Sequence, residues 1–310
     1  MAKKVLLATE KPFSASARDQ VVGIIKDAGY EAVVLESYKS KADLLAAVAD
    51  VDAMIVRSDI VDAEVLGAGK NLKLVVRAGA GYDNIDIANA KERGIAVMNT
   101  PGQNSNAVAE LVFGMMLYMA RGKFDGKTGS ELRGKSLGLQ AFGNVGRAVA
   151  PIAKGFGMTL RAFDPYVDAE KIREGGAEPV SSLEELYRSS DYLSLHIPKT
   201  KETTGSIGKA LLSLLPKGAT LINTARAEVI NEPELLAILE ERPDLKYATD
   251  VAPTAETHAK LTEKFAARYF CSPKKMGAQT SEANVNAGLA AARQIVGFFE
   301  RNERNFIVNP

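Results

Sequence analysis

The segment from Leu137 to Arg147 has the residue types and spacing of a site for the phosphates of a dinucleotide. It reads Leu-Gly-Leu-Gln-Ala-Phe-Gly-Asn-Val-Gly-Arg and matches the pattern GxGxxG, with Ala141 in place of the first glycine. A glycine at 143 lets the backbone approach a pyrophosphate, whose charge is stabilised at the N-terminus of the following helix. A glycine at 146 lets that helix pack closely on the preceding strand. We therefore predict cofactor binding at Gly143, Asn144 and Val145.

An acidic residue follows at the position where the adenosine ribose would be bound. Asp164 lies 18 residues after Gly146, at the end of the next predicted strand. A carboxylate there accepts hydrogen bonds from the ribose hydroxyls and repels the 2′-phosphate of NADP, so NAD is favoured. The alternative is a tight strand–helix turn followed by a surface aspartate. The order strand, turn, helix, strand and aspartate favours the cofactor site.

The elements around this segment alternate between short apolar strands and amphipathic helices, which predicts βαβ units and parallel sheets. The predicted strands are Val5–Ala8, Glu31–Leu35, Ala53–Val56, Leu72–Val76, Ile95–Met98, Ser136–Ala141, Thr159–Phe163, Tyr192–Leu195, Ala219–Ile222, Tyr247–Thr249 and Tyr269–Cys271. A long apolar helix is predicted from about Ser105 to Arg121, and the last helix from Thr280 to Phe299. The polar, glycine-rich stretch Gly122–Gly134 is the strongest boundary signal. The tail at 305–308 could return to the first domain as a short strand.

Composition excludes several classes of protein. The chain has 310 residues, enough for about two domains, and a net charge of +1, which gives no basic field for nucleic acid. The single cysteine, Cys271, cannot form an internal disulfide, which favours a reducing compartment. The most apolar stretch, 107–120, is too short to span a bilayer and contains Glu110. We expect a soluble cytoplasmic protein with no metal site and no nucleic-acid or membrane partner.

The motifs together make the whole chain similar to the D-2-hydroxyacid dehydrogenases, and most similar to the short, phosphoglycerate-oxidising branch without a C-terminal regulatory domain. Besides the glycine loop, the resemblance rests on Ile55–Ser58, Val76–Asp86, Val97–Pro101, Ala109–Leu111, His196–Pro198, Ile222–Arg226, Thr249–Val251 and Gly277–Ala283. It implies two Rossmann-like, doubly wound parallel-sheet α/β domains with a cleft between them. The substrate-binding domain would be 1–100 plus 285–310, and the NAD-binding domain 101–284. It also implies a homodimer.

The resemblance assigns substrate roles to residues of both predicted domains. Arg226 is the catalytic arginine, whose planar fork can bind the substrate carboxylate and polarise the C2 oxygen. Backbone amides would hold the carboxylate at Gly79, Ala80 and Gly81. Arg57 and Arg77 would lie at the substrate phosphate, and Ser58, from the same motif as Arg57, would also bind the substrate. The alternative for each arginine is a surface ion pair.

The resemblance also implies that Asp250 binds the nicotinamide carboxamide of the cofactor. His196 would line the cofactor groove and would not transfer the proton; a purely structural turn is the alternative. The further cofactor-binding positions are Pro198, Thr224, Ala225 and Gly277.

The sequence departs from the family at the acid/base pair. Lys275 occupies the slot of the catalytic histidine, and the slot of the partner glutamate falls at Ala255, with Glu256 one place late. A lysine accepts a proton only when it is neutral, and a neighbouring glutamate would keep it charged. Replacement of the histidine and loss of the glutamate are therefore consistent with each other. We predict that Lys275 is the general acid and base; spacing leaves open whether Lys274 or Glu256 assists it.

These assignments imply the NAD-dependent oxidation of 3-phospho-D-glycerate to 3-phosphohydroxypyruvate, and the reverse, as the first step of phosphorylated serine biosynthesis. One alternative is reduction of hydroxypyruvate or glyoxylate. The other is a non-enzymatic NAD-binding regulatory relative, which the missing histidine–glutamate pair would suit.

Overall fold

The computed structural model describes residues 2–310 and divides them into two compact units. Unit 1 is the chain up to Asn104 together with Thr280–Pro310, and unit 2 is Ser105–Gln279. The division therefore falls after residue 104 and before residue 280, whereas the sequence predicts it after 100 and before 285. The glycine-rich stretch Gly122–Gly134 lies inside unit 2, so its interpretation as a boundary was wrong.

Strands and helices alternate through both units, and the predicted α/β class is confirmed. The strands are β1 (Lys4–Thr9), β2 (Glu31–Glu36), β3 (Ala53–Val56), β4 (Leu74–Arg77), β5 (Ala96–Asn99), β6 (Ser136–Gln140), β7 (Thr159–Phe163), β8 (Glu178–Pro179), β9 (Tyr192–Leu195), β10 (Thr220–Asn223), β11 (Lys246–Thr249) and β12 (Tyr269–Cys271). The helices are α1 (Ala15–Asp27), α2 (Lys41–Val48), α3 (Ala63–Ala68), α4 (Ile87–Glu92), α5 (Ser105–Ala120), α6 (Asn144–Gly155), α7 (Ala169–Glu174), α8 (Leu183–Arg188), α9 (Lys209–Leu212), α10 (Glu232–Glu241), α11 (Ala255–Lys264) and α12 (Ser281–Arg301).

Unit 1 is a five-stranded parallel sheet in the order β2-β1-β3-β4-β5. All four residues of β3 are buried, because apolar side chains cover both faces of the sheet. The order reverses between β1 and β3. Open α/β sheets bind ligands at such a point, beyond the carboxyl ends of the strands. In unit 1 that place is formed by the loops after Thr9 and Val56.

The C-terminal tail closes the edge of this sheet, as a bridge and not as a full strand. Ile307 pairs antiparallel with Met98, and the Val308 amide donates to the Val97 carbonyl over 2.9 Å. Asn309 extends the pairing, since its Oδ1 accepts from the Val97 amide over 2.8 Å. The tail thereby satisfies backbone groups that an open edge would expose.

Unit 2 is a seven-stranded parallel sheet in the order β12-β11-β10-β9-β6-β7-β8. Its order reverses between β6 and β9, so the expected ligand crevice lies beyond Gln140 and Leu195. Strand β8 could not be predicted from the sequence, because a two-residue strand is too short to show a period. His258 lies on α11, and its Nδ1 forms a hydrogen bond with the Tyr269 hydroxyl over 2.8 Å.

Two features are absent from the part of the chain that the structure describes. None of the helices in residues 2–310 has both the length and the apolarity to cross a membrane. The same residues contain no cluster of three or more histidine, cysteine, aspartate or glutamate side chains placed to hold a metal.

Candidate active site

The glycine loop of unit 2 turns sharply from β6 into α6. Ala141, which stands where the pattern has its first glycine, adopts φ of 83°, a conformation that costs an L-residue about 1–2 kcal/mol. The turn is held because the Ala141 amide donates to Phe163 O over 2.9 Å and the Phe142 amide donates to Asp164 Oδ2 over 2.8 Å. The loop is therefore fixed to the end of β7 before any ligand arrives.

The two remaining glycines of the loop have different surroundings. A Cβ on Gly146 would lie 2.8 Å from the Ala141 carbonyl oxygen, so α6 can approach β6 this closely only with glycine there. A Cβ on Gly143 would meet no protein atom within 4 Å. Gly143 also caps α6 without a side-chain hydrogen bond, which leaves the first amides of the helix to an external acceptor. This open space and the helix N-terminus at Asn144 and Val145 fit a pyrophosphate.

Asp164 is positioned at the end of β7 by the same contacts. Its Oδ2 accepts the Phe142 amide, and its Oδ1 accepts the Tyr166 amide over 2.9 Å. Each oxygen takes one donor and keeps a lone pair, so the oriented carboxylate can accept ribose hydroxyls. The contacts suit the predicted role at the cofactor.

Asp250 has a buried carboxylate oxygen that can accept a further hydrogen bond. The residue is 1% exposed, and its Oδ2 accepts the amides of Met276 and Gly277 over 3.1 and 2.7 Å. Its Oδ1 is buried and has no partner among residues 2–310. A buried carboxylate oxygen without a donor is costly, and the amide group of a nicotinamide offers such a donor. The residues present therefore fit NAD.

The remaining predicted cofactor residues lie at the ends of β9 and β10. Burial lowers the pKa of His196 to about 4, so its ring is neutral near pH 7 and is unsuited to donate a proton. Its Nε2 and the Thr224 hydroxyl are buried without a described partner. Pro198 accepts the Thr203 hydroxyl over 2.6 Å, and the Ala225 amide donates to Asn223 Oδ1 over 3.0 Å.

Arg226 is presented by a turn that a buried amide braces. Asn223 Nδ2 donates to the Arg226 carbonyl over 2.9 Å, while Asn223 Oδ1 accepts the Ala225 amide. The Thr249 hydroxyl in turn donates to the Asn223 carbonyl over 2.8 Å. The guanidinium is half-buried, and its Nη1 donates to the Ala225 carbonyl over 2.9 Å. Asn223 and Thr249 belong to quoted motifs, but nothing in the sequence showed that they brace Arg226.

Lys275 lies on an irregular segment after β12, and it is exposed. The two amides that follow it are those held by Asp250, and the preceding turn is closed by Ser272 Oγ, which donates to the Lys274 carbonyl over 2.8 Å. Asp250 thus fixes the backbone directly after Lys275. Glu256 pairs with Lys260 over 2.6 Å on the exposed face of α11, and its side chain is 77% exposed.

In unit 1, Arg57 follows β3 at the switch point of the sheet. Its Nη1 donates to the carbonyls of Lys11 and Pro12, each over 2.9 Å, and its Nη2 donates to Asn284 Oδ1 over 2.5 Å. The guanidinium also lies over the Phe13 ring, 4.9 Å from its centroid. Burial lowers the pKa of Arg57, and the charge of Asp59 opposes that shift. The bonds hold the side chain in one place without neutralising it.

In the loop after β4, the side chain of Arg77 lies against the backbone of Gly79. A Cβ on Gly79 would lie 1.2 Å from Arg77 Nη1, and φ of 150° at Gly79 independently requires glycine. The Gly79 amide donates to the Arg77 carbonyl over 2.8 Å, so it is not available for a substrate carboxylate as the sequence predicted. Ser58 is exposed beside Arg57.

The chain is similar to known proteins in both sequence and fold. Residues 108–267 match the family model for the NAD binding domain of D-isomer specific 2-hydroxyacid dehydrogenases. A solved NAD⁺-bound 3-phosphoglycerate dehydrogenase from Entamoeba histolytica is 45% identical, with a TM-score of 0.89, and the match covers 100% of this chain and 99% of that one.

Two curated relatives differ in activity and in length. A hydroxypyruvate reductase of Thermotoga maritima is 37% identical over 86% of this chain and 90% of its own length. A D-3-phosphoglycerate dehydrogenase of Methanocaldococcus jannaschii is 36% identical over 83% of this chain but only 51% of its own length. The chain therefore spans nearly all of the first relative and about half of the second.

Proposed function

The chain belongs to the family of D-isomer-specific 2-hydroxyacid dehydrogenases, and on that premise we propose that it oxidises 3-phospho-D-glycerate to 3-phosphohydroxypyruvate with NAD, and catalyses the reverse. The observation that carries the phosphorylated substrate is Arg57. Its guanidinium lies at the switch point of the unit 1 sheet and is held by neutral acceptors, so its charge remains available to a dianion.

The residues of unit 2 would hold NAD along the ends of its strands. The amides of Asn144 and Val145 would bind the pyrophosphate, Asp164 the ribose, and Asp250 Oδ1 the carboxamide. The hydride is taken up by, or comes from, the nicotinamide when the cofactor is bound. Neutral His196 would line this groove and leave proton transfer to another group.

Arg226 and the loop after β4 would bind the carboxylate end of the substrate. A guanidinium can bind one carboxylate oxygen and the C2 oxygen together, and its positive charge stabilises negative charge that develops on C2–O. The amides of Ala80 and Gly81 would complete the carboxylate site. Both groups are fixed by neighbouring backbone or side-chain contacts before substrate binds.

Lys275 would move the proton at the C2 oxygen. In oxidation, neutral Nζ takes the hydroxyl proton while the C2 hydrogen leaves as hydride; in reduction, charged Nζ returns the proton to the oxygen. Asp250 holds the two amides after Lys275. The carboxylate of Asp250 would therefore hold both the nicotinamide carboxamide and the backbone next to Lys275.

Hydroxypyruvate or glyoxylate reduction is the second candidate, and the Thermotoga maritima relative favours it because the match covers nearly the whole of that reductase. A binding-only role is a weaker alternative, since Arg226 and its bracing amide are intact. A homodimer, a cytoplasmic location and a place in serine biosynthesis belong to the same proposal; sedimentation of the purified protein tests the first.

The test compares kcat/KM for NADH-dependent reduction of 3-phosphohydroxypyruvate and hydroxypyruvate. We expect the phosphorylated substrate to be preferred, and Arg57→Ala to lower kcat/KM about 100-fold for that substrate alone, as loss of a charged contact predicts. Arg93→Ala is the control, because Arg93 is an exposed arginine that bonds Asn89 instead. Preference for hydroxypyruvate, unchanged by Arg57→Ala, would establish the second candidate instead.

A further inference from the structure

Asp59 is a buried carboxylate that the sequence did not single out. It lies two residues after Arg57 and is 4% exposed, whereas its neighbour Ile60 is 61% exposed and Ser58 is also exposed. The chain therefore turns this one charged side chain inward, beneath the switch point of the unit 1 sheet. A buried carboxylate persists only where several donors compensate its desolvation.

The donors come from the ends of three neighbouring strands. Asp59 Oδ1 accepts the Glu10 amide after β1 over 2.6 Å and the Tyr38 hydroxyl after β2 over 2.7 Å. Its Oδ2 accepts the Arg57 amide after β3 over 3.0 Å. Its own carbonyl accepts Asn84 Nδ2 over 2.7 Å. One side chain thus ties together the loops that surround the expected ligand crevice.

Asp59 contacts Arg57 at the backbone and not at the guanidinium. It bonds the backbone amide, while the guanidinium donates only to neutral oxygens of Lys11, Pro12 and Asn284. A direct carboxylate–guanidinium pair would occupy the fork that a phosphate needs. Here Asp59 balances the partly buried positive charge without bonding the guanidinium, so part of the fork stays available to a ligand.

The contacts also fix which part of Arg57 faces a ligand. Three of its five N–H groups donate to protein, which leaves Nε–H and one N–H of Nη2. The Lys11 and Pro12 carbonyls belong to the loop that starts at Glu10, whose amide Asp59 holds. Asp59 therefore holds both the backbone of Arg57 and the loop whose carbonyls accept hydrogen bonds from the guanidinium.

We propose that Asp59 is a positioning residue that determines specificity for a phosphorylated substrate, by holding the loops after β1, β2 and β3 so that Arg57 presents two N–H groups to the phosphate. This inference rests on the proposed phosphate site at Arg57. It adds a residue that touches neither substrate nor cofactor and acts through Arg57.

The first test is Asp59→Asn, which keeps the shape but removes the charge and one of the two acceptor oxygens. KM for 3-phosphohydroxypyruvate should rise about tenfold with kcat unchanged within about twofold, because loss of the charge weakens the hydrogen bonds that hold the loops around Arg57. Both constants for hydroxypyruvate should stay unchanged. Equal effects on the two substrates, or none, would overturn the proposal.

Asp52→Asn is the matched control. Asp52 Oδ2 also accepts a backbone amide of β1, that of Lys4 over 2.9 Å, but at the opposite, amino edge of the same sheet. A merely structural carboxylate should affect thermal stability without affecting substrate preference. Asp52→Asn is therefore expected to leave the KM ratio of the two substrates unchanged, and a ratio that shifts as in Asp59→Asn would overturn the special role of Asp59.

A double-mutant cycle separates this inference from the proposed function. If Asp59 acts through Arg57, Asp59→Asn should add no further loss in an Arg57→Ala background. A wild type without phosphate preference would refute the proposed function and this inference together. A wild type whose preference falls in Arg57→Ala but not in Asp59→Asn would refute this inference alone. If Asp59→Asn does not fold, Tyr38→Phe, which removes one donor to Asp59, replaces it in the same cycle.

Discussion

At the scale of single residues, the site depends on a few groups held in costly states. Ala141 adopts a left-handed backbone conformation, Asp250 keeps a buried oxygen without a described donor, and His196 is neutral inside the protein. Strain and unsatisfied groups of this kind concentrate at functional sites. The states of Ala141 and His196 predict measurable effects on the free energy of unfolding.

Replacing Ala141 with glycine should relieve the strain of the glycine loop. Relief of φ 83° is worth about 1–2 kcal/mol, and the extra freedom of glycine in the unfolded chain offsets about 0.5–1 kcal/mol of it. Denaturant unfolding should therefore show equal or slightly higher stability. Ala148→Gly within α6 should instead lose about 1 kcal/mol. A comparable loss in Ala141→Gly would show that the left-handed conformation is not strained.

The neutral His196 predicts a pH dependence of stability. Its pKa is lowered from 6.5 to about 4 in the folded protein, so the unfolded chain binds the proton first as the pH falls. Its contribution is complete above pH 6.5 and is lost towards pH 4, by up to about 3 kcal/mol. The free energy of unfolding of the wild type should fall relative to His196→Gln over that range. A constant difference between the two would contradict the burial of a neutral ring.

At the scale of elements, the cofactor site depends on how closely α6 approaches β6. The sequence predicted this approach from the spacing of the glycines, because a tight strand–helix turn needs small residues at fixed positions. It could not predict the bracing of the Arg226 turn by Asn223 and Thr249, or the loops that Asp59 joins. Such bonds link residues far apart in the chain, and no local period reveals them.

Gly146→Ala tests the close approach of α6. The new methyl group would lie 2.8 Å from the Ala141 carbonyl, so the helix must shift and carry its N-terminal amides with it. At about 1–3 kcal/mol for overpacking, the Kd for NADH should rise about tenfold or more. Titration of NADH fluorescence measures it.

Gly155→Ala is the control on the same helix. A Cβ there meets no atom within 4 Å, so this variant should bind NADH normally and be slightly more stable. Equal NADH affinity in the two variants would contradict the account of the loop.

At the scale of the whole molecule, each unit is an open parallel sheet with its own switch point, and the candidate residues lie at or beyond the carboxyl ends of the strands. The alternation of strands and helices was predictable because buried parallel strands are short apolar runs. The glycine-rich stretch Gly122–Gly134 has the composition of a linker, although Lys123 Nζ donates to the Tyr269 carbonyl over 2.5 Å within unit 2. Net charge of +1 provides no global steering of an anionic substrate, so local arginines must supply its affinity.

The central claim is that a lysine carries out proton transfer in this dehydrogenase. The most direct measurement is the rate of NADH oxidation with saturating 3-phosphohydroxypyruvate by the wild type, Lys275→Ala and Lys274→Ala. We predict that Lys275→Ala loses about 100-fold or more in kcat, as removal of a general acid does, and still binds NADH, while Lys274→Ala turns over normally. Turnover in Lys275→Ala that matches the wild type would contradict the account.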